Sequence, residues 1–425
     1  AMLMSGKAAG ICYMPDDYLS NGIQNEETAL KRAKFNAKSG HYSVYDHFHI
    51  TYIIETNKAM AMILNSTRLY STSEKSARYT TMNPETKLEK EMYDKWKDIF
   101  KTVIKDFYKD NYTDKEVEKL ALENARYFLS VFTPTVMEFT IPFSRLILLC
   151  GWLDELANKM EKYVFCTNKI PIEFKDKESN YVNFYNRAKT DCRELADLFR
   201  KSINMDKDNP ILKDHKNIGI SLFADIEDHE YSSLLLEDYK INLSNNYNPY
   251  SESVLNNNYA FSDVYSFACF AQQERHRTIT YNILSISDIF YLPKILVGTD
   301  YDEMYKTDME LLAKNGIVPQ ATELIVFERG NYEDYILKCK ERLCSRAQLE
   351  IYDVTKFQIA KIFKELKKHP EKCSISEKNL YNLLNMVNYN ENTNMIFVKP
   401  RCMFEGYKCN EPCKHVPTLF ATRLI

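Results

Sequence analysis

The chain has 425 residues, 45% of them hydrophobic and 27% charged, with a formal net charge of -3 at pH 7. That size and balance describe a globular protein able to bury a full core, long enough for two domains or for one domain repeated. The slight acidity excludes a nucleic-acid coat or a binder of acidic membranes, which need surplus Lys and Arg on one face; any bound anion is small, and no nucleic-acid polymer is expected.

In chain order, the opening AMLMSGKAAGICYMP lacks the long apolar core of a signal peptide. The runs IIETNKAMAMIL and PFSRLILLCGWL are too short and too often interrupted to span a bilayer, so no membrane partner is expected. Eleven cysteines, mostly single and in apolar surroundings such as Cys150 and Cys269, fit reduced thiols and a cytoplasmic protein. Residues 40–79 read as a loop, a strand near 48–55, a helix from Thr56 or Asn57, and a polar loop with Arg68, Ser71, Glu74 and Arg78. A long amphipathic helix follows, with Leu88, Met92, Trp96, Ile99, Val103 and Phe107 on its expected buried face, then helices around 115–130 and 143–162.

Residues 260–287 repeat that outline: AFSDVYSFACFAQQ has Val264, Phe267, Ala268 and Ala271 at helical spacing, followed by ERHRTITYNILSIS. Amphipathic stretches follow here too, YDEMYKTDMELLAKNG and then YEDYILKCKERLCSRAQLEIYDVTKFQIAKIFKEL. The charged segment 204–217, with Pro210 and no apolar period, marks the boundary, and 241–258 reads as a long loop rich in Asn and Ser. The expected fold class is α+β, with helices outnumbering strands: one repeat over 1–205, a second over 206–395, and a Cys/His-rich tail over 396–425.

Arg275, His276 and Arg277 stand side by side after the second apolar run. Paired guanidiniums where a helix meets a loop suit phosphate, and a neutral His between them can approach a flavin or base ring. A solvated helix end has the same composition, and Glu74 with Arg78 has the composition of an ordinary surface ion pair.

Gln272, Arg275, His276, Arg277, Thr280, Asn282 and Ser285 resemble the signature of the flavin-dependent thymidylate synthase family: Arg-His-Arg, two residues, Ser, one residue, Asn-Glu, one residue, Ser, one residue, Arg. Ile283 stands where the family has Glu, and Ser287 where it has the closing Arg. The first half mirrors this, keeping Arg68, Ser71, Glu74, Ser76, Arg78 and Tyr79 but having Ser66 and Thr67 in place of the leading Arg-His. GHYSVYDH (40–47) is similar to the family's flavin-pocket segment. ERLCSRAQLEIY (341–352) is similar to the helix that carries an Arg over the pyrimidine, with Arg342, Ala347, Gln348, Glu350 and Ile351 matching and Leu349 in place of Trp. Asn331 falls at a flavin-contacting Asn, while Glu333 replaces a family Arg; a phosphate-holding family Arg is matched by Arg126 in the first half and by Glu323 in the second.

Each half therefore keeps what the other lost. The resemblance implies two tandem copies of the family domain, each helix-rich with a small antiparallel sheet, that share one composite site. It assigns Arg342 to catalysis, Glu74, Ser76, Arg78, Gln272 and Arg275 to the substrate, and Ser43, Asp46, Arg275, His276, Arg277 and Asn331 to FAD. It implies C5 methylation of a deoxyuridine monophosphate, with NADPH and methylenetetrahydrofolate as co-substrates and a homodimer forming a pseudo-tetramer. The alternatives are another pyrimidine nucleoside monophosphate on the same scaffold, or a nucleotide-binding sensor without turnover.

The tail carries Cys402, Cys409, Cys413 and His415, a Cys3His set whose thiolates and imidazole suit a tetrahedral structural zinc, with reduced unliganded cysteines as the alternative.

Overall fold

The computed structural model describes residues 2–11, 25–67, 70–165, 179–205, 258–368, 375, 377–410 and 423–425. Through the first half the elements are α1 (Met2–Gly10), α2 (Glu26–Lys38), β1 (His49–Asn57), α3 (Lys58–Asn65), β2 (Ser71–Glu74), α4 (Lys87–Tyr108), α5 (Asp114–Ala125), β3 (Pro134–Pro142), α6 (Phe143–Phe165) and α7 (Asn180–Ser202). They continue with β4 (Asn258–Ser266), α8 (Phe267–Gln273), β5 (Thr280–Phe290), α9 (Tyr301–Lys314), β6 (Thr322–Asn331) and α10 (Tyr332–Arg342). The last are α11 (Leu349–Lys368), α12 (Glu377–Asn385), β7 (Val387–Asn390) and β8 (Met395–Val398). This is the expected α+β class. The segments 206–217 and 241–257, read as boundary and long loop, lie outside the described residues.

The chain forms two compact units, one of Ala1–Ser76, Phe132–Lys177 and Val182–Ile220, the other of Ala77–Val131, Glu178–Tyr181 and Ser221–Ile425. In unit one, β3 is the central strand of an antiparallel sheet ordered β1-β3-β2. Its side chains alternate, with Met137, Phe139 and Ile141 buried and Val136 and Glu138 exposed, as a strand with one covered face requires. β1 passes directly into α3, where the Asn57 side chain accepts from Met60 N at 3.0 Å and caps the helix. Gly6 of α1 sits where a Cβ would meet the Ala29 carbonyl at 1.8 Å, so α1 and α2 cross in backbone contact.

In unit two, β6 is central in a sheet ordered β4-β6-β5. β4 passes directly into α8, and β6 directly into α10, just as β1 and β3 pass into α3 and α6. Val264 belongs to β4, opposite Ile325, and is 55% exposed. The helix expected there starts only at Phe267, because pairing with β6 holds the preceding residues extended. The stretch from Tyr332 is two helices, α10 and α11, interrupted at 343–348.

The apolar core of unit two gathers around α4. Its fully buried stripe is Tyr93, Trp96, Phe100, Ile104 and Tyr108, with Leu88, Met92, Ile99 and Val103 only partly buried beside it. The expected face shares Trp96 with this stripe but is rotated away from it, and Phe107 is 53% exposed. The reason is Glu89, a charged residue drawn inward to accept from Ser130 N at 2.8 Å and Glu85 N at 3.1 Å. Trp96 stacks on Phe128 at 4.9 Å between ring centroids and meets Tyr305 of α9 edge-on at 5.1 Å.

Candidate functional site

Ser266 fixes the start of α8. Its Oγ accepts from Cys269 N at 3.1 Å, while its own N–H and O–H donate to the two carboxylate oxygens of Glu350 at 2.7 Å each. Phe267, Ala268, Cys269 and Phe270 are buried, so this short helix is anchored along its length. Its end is then a rigid platform: Glu274 N donates to Phe270 O, His276 N to Gln273 O and Ile279 N to His276 O, each at 3.0 Å. The Arg275–Arg277 triplet lies in that turn, and Thr280, Asn282 and Ser285 follow on β5.

Three arginines that are remote in sequence gather beside α8. Arg78 donates from Nε to Glu123 Oε2 at 2.6 Å, from Nη1 to Gln272 Oε1 at 3.4 Å and from Nη2 to the Arg346 carbonyl at 2.7 Å. Arg126, at the end of α5, donates from Nη2 to the Ala268 carbonyl at 2.6 Å and to Gln348 Oε1. Gln272 Nε2 donates to the same Gln348 oxygen, and Gln348 Nε2 donates to the Tyr127 hydroxyl at 2.5 Å. Tyr127 in turn donates to Glu350 Oε2 at 2.7 Å. Arg342, the last residue of α10, donates from Nε to His276 Nε2 at 2.7 Å and from Nη2 to the Gln272 carbonyl at 3.1 Å.

The guanidiniums repel one another. Burial lowers the pKa of Arg126 and of Arg342, and the Arg78 charge lowers both further. Burial is the largest influence on Arg78 and opposes its charge, but Glu123, Tyr79 and Tyr127 together outweigh it and the net shift is upward. His276 is pushed down to about 2, first by burial and then by the Arg342 and Lys338 cations, so its ring is neutral. Arg126 Nε is buried and has no hydrogen-bond partner among the described residues. A cluster of clashing cations with an unsatisfied buried N–H has the chemistry of an anion site. Cys269, beside it, is a poor nucleophile, because burial and then Glu350 hold its thiol well above the usual range.

Arg78, Gln272, His276 and Arg342 are thus brought together, with Arg275 and Arg277 half-buried in the same turn. Asn331 caps α10, accepting from Asp334 N at 2.8 Å and donating to Asp334 Oδ2 at 2.6 Å. Glu74 and Ser76 belong to unit one, where Glu74 pairs with Lys58 at 2.6 Å. Arg78 pairs with Glu123, with both side chains largely buried, whereas the surface pair that the sequence also allowed was between Arg78 and Glu74. Asp46, also in unit one, accepts from Ser144 Oγ and lies 3.9 Å from Arg145 Nε, and Ser43 lies in the short 3-10 helix of Tyr42–Tyr45. Arg68 lies outside the described residues, as do Cys413 and His415 of the expected zinc set. Cys402 is exposed and Cys409 half-buried; among the described residues no three His, Cys, Asp or Glu side chains stand as a metal-binding group. No helix of the described residues is long and apolar enough to cross a membrane.

Sequence reasoning assigned no role to Glu123 or Tyr127 and named Gln348 only as a motif match. The available signal was their position, since Glu123 and Tyr127 flank Arg126 at a helix end and point with it to one neighbourhood.

Fold and site together define a helix-rich α+β protein in which three arginines gather beside one short helix. Residues 4–155 match the family model described as thymidylate synthase complementing protein, the family that the sequence motifs resemble. The match includes Arg78, Glu123 and Arg126; Gln272, Gln348 and Arg342 lie beyond it. No curated protein matches the chain.

Proposed function

We propose that the chain is a thymidylate synthase-like enzyme that uses FAD to methylate C5 of a deoxyuridine monophosphate at one composite site built from both halves of the sequence. The observation that carries this reading is the meeting of first-half Arg78 and Arg126 with second-half Gln272 and Gln348 in one hydrogen-bonded cluster. In this reading the chain is a tandem of two family-like repeats, 1–205 and 206–395, followed by the 396–425 tail, and it pairs as a homodimer. The common strand order and the matching direct strand-to-helix exits of the two sheets support the duplication.

Arg78 and Arg126 hold the phosphate through charge-assisted bonds, Gln272 adds its amide, and Ser76 and Glu74 keep the substrate roles that the resemblance gives them. Arg342 orients a uracil carbonyl and stabilises the negative charge that develops on the ring, a preorganised electrostatic contribution. Two half-buried guanidiniums, Arg275 and Arg277, form a donor set suited to the FAD diphosphate, with Ser43, Asp46 and Asn331 as the further flavin residues of the resemblance. Bound flavin supplies the hydride, with NADPH as reductant and methylenetetrahydrofolate as carbon donor. Cys402, Cys409, Cys413 and His415 hold a structural zinc in the tail, since thiolates and imidazole match its preferred ligands.

A second reading, nucleotide binding without turnover, is favoured by the occupation of two expected flavin residues within the protein: His276 by Arg342 and Asn331 by its cap. The experiment is the flavin absorbance spectrum of purified protein during titration with dUMP, followed by product analysis with NADPH and methylenetetrahydrofolate. Bound flavin perturbed by dUMP, with thymidylate formed, supports the enzyme. Tight dUMP binding by a protein that takes up no FAD supports the binder instead. Arg342→Ala should abolish turnover while the fold is kept.

A further inference from the structure

We propose that His276 is a positioning residue for Arg342: its Nε2 receives the Arg342 Nε–H at 2.7 Å and sets the plane of that guanidinium at the nucleotide site. The inference rests on the nucleotide reading above and assigns His276 work other than contact with the cofactor ring.

The geometry leaves little freedom. Arg342 is the last residue of α10, where a long side chain at a helix end has many rotamers open to it. Two of its three nitrogens are nevertheless fixed, Nε on His276 and Nη2 on the Gln272 carbonyl at 3.1 Å, both acceptors lying on the α8 platform. Nη1 has no partner among the described residues and is the nitrogen left for a ligand. A fork held at two points presents the third in one direction, which is the preorganisation that an electrostatic contact requires.

The imidazole is itself held. Its side chain is 8% exposed, and its backbone N–H bonds the Gln273 carbonyl while its own carbonyl receives Ile279 N, so the backbone from which the ring projects is fixed and packing leaves the ring little room. Nε2 acts as an acceptor only in the neutral ring protonated on Nδ1, and Nδ1 faces Glu341 at 4.0 Å. The cations of Arg342 and Lys338 both disfavour a second proton. Gln is the conservative replacement, because its Oε1 can occupy a place close to that of Nε2; Ala offers no acceptor.

The test compares wild type, His276→Ala and His276→Gln as full-length chains, measuring dUMP affinity by calorimetry and kcat and KM for thymidylate formation, with circular dichroism as the fold control. We expect His276→Ala to lose about 10- to 100-fold in kcat with KM raised less than about threefold, because a misaimed guanidinium costs more in the transition state than in the bound state. His276→Gln should return to within about fivefold of wild type. Equal turnover by His276→Ala and wild type overturns the proposal alone. So does a His276→Ala that loses bound flavin and is not rescued by Gln, since the ring would then serve the cofactor. Wild type that binds no dUMP overturns the nucleotide reading and this proposal together.

Discussion

Arg78 and Gln272, separated by 194 positions in sequence, meet through a hydrogen bond of 3.4 Å from Nη1 to Oε1. The contact joins a first-half residue that follows β2 to a second-half residue near the end of α8, and it lies in the middle of the arginine cluster.

Arg78 spreads its three nitrogens over three different acceptors around a planar fork, and the three donors of a lysine, which radiate from one point, do not reproduce that spread. Arg78→Lys should therefore weaken dUMP binding about tenfold, measured by calorimetry. Arg78→Ala should also destabilise the chain by about 3 kcal/mol in urea denaturation, because Glu123 is left buried without its partner. Unchanged affinity in the lysine variant would argue that the site does not hold the phosphate through this residue.

Lys338 and Glu328 form an ion pair with side chains 0% and 1% exposed, bonded through both carboxylate oxygens at 2.7 Å. Gln358 and the Tyr259 hydroxyl complete the network. Lys338→Met should cost about 3 to 5 kcal/mol, since it strands a buried carboxylate, whereas Lys338→Met with Glu328→Leu should recover much of the loss. Chemical denaturation of the two variants checks this, and a double variant no more stable than the single would contradict it.

Asp263 is pushed up to about 6, first by burial and then by Glu328, with the Gln358 bond and the Lys361 and Lys338 cations opposing. A carboxyl whose folded pKa exceeds its unfolded value of 3.8 binds its proton more tightly when folded, so its contribution falls as pH rises from about 4 to about 6. The fall is on the order of 3 kcal/mol. Asp263→Asn keeps an acceptor for Gln358 Nε2, now 2.6 Å from Asp263 Oδ2, and removes the titration. The stability difference, variant minus wild type, should therefore increase between pH 4 and pH 7; a flat difference in denaturation midpoints would refute the shift.

The tail should bring about one zinc per chain by elemental analysis, with Cys409→Ser reducing it to near zero. A natively purified chain free of zinc would remove Cys402, Cys409, Cys413 and His415 as a ligand set.

Much of the fold was legible in local patterns. The strand and helix across 49–65 and the α9 stretch over 301–314 follow the apolar periods of their own sequences, because side-chain direction repeats every two residues in a strand and about every 3.6 in a helix. Where local patterns misled, the competing partner was distant. Val264 was drawn into a strand by β6, and the buried face of α4 was turned by Glu89, whose acceptor role depends on Ser130 N.

By itself the sequence determined the α+β class, the motif residues around Arg78, Arg275–Arg277 and Arg342, and the family resemblance that the model match over residues 4–155 repeats. Only the tertiary structure decided which of these residues meet. Gln348 serves Arg126 across 222 positions, His276 serves Arg342, and Asn331 closes a helix rather than standing open. The physical reason is that a hydrogen bond between remote residues is fixed to a few tenths of an ångström by the packing of the elements that carry them, and one chain's periodicity does not encode that packing.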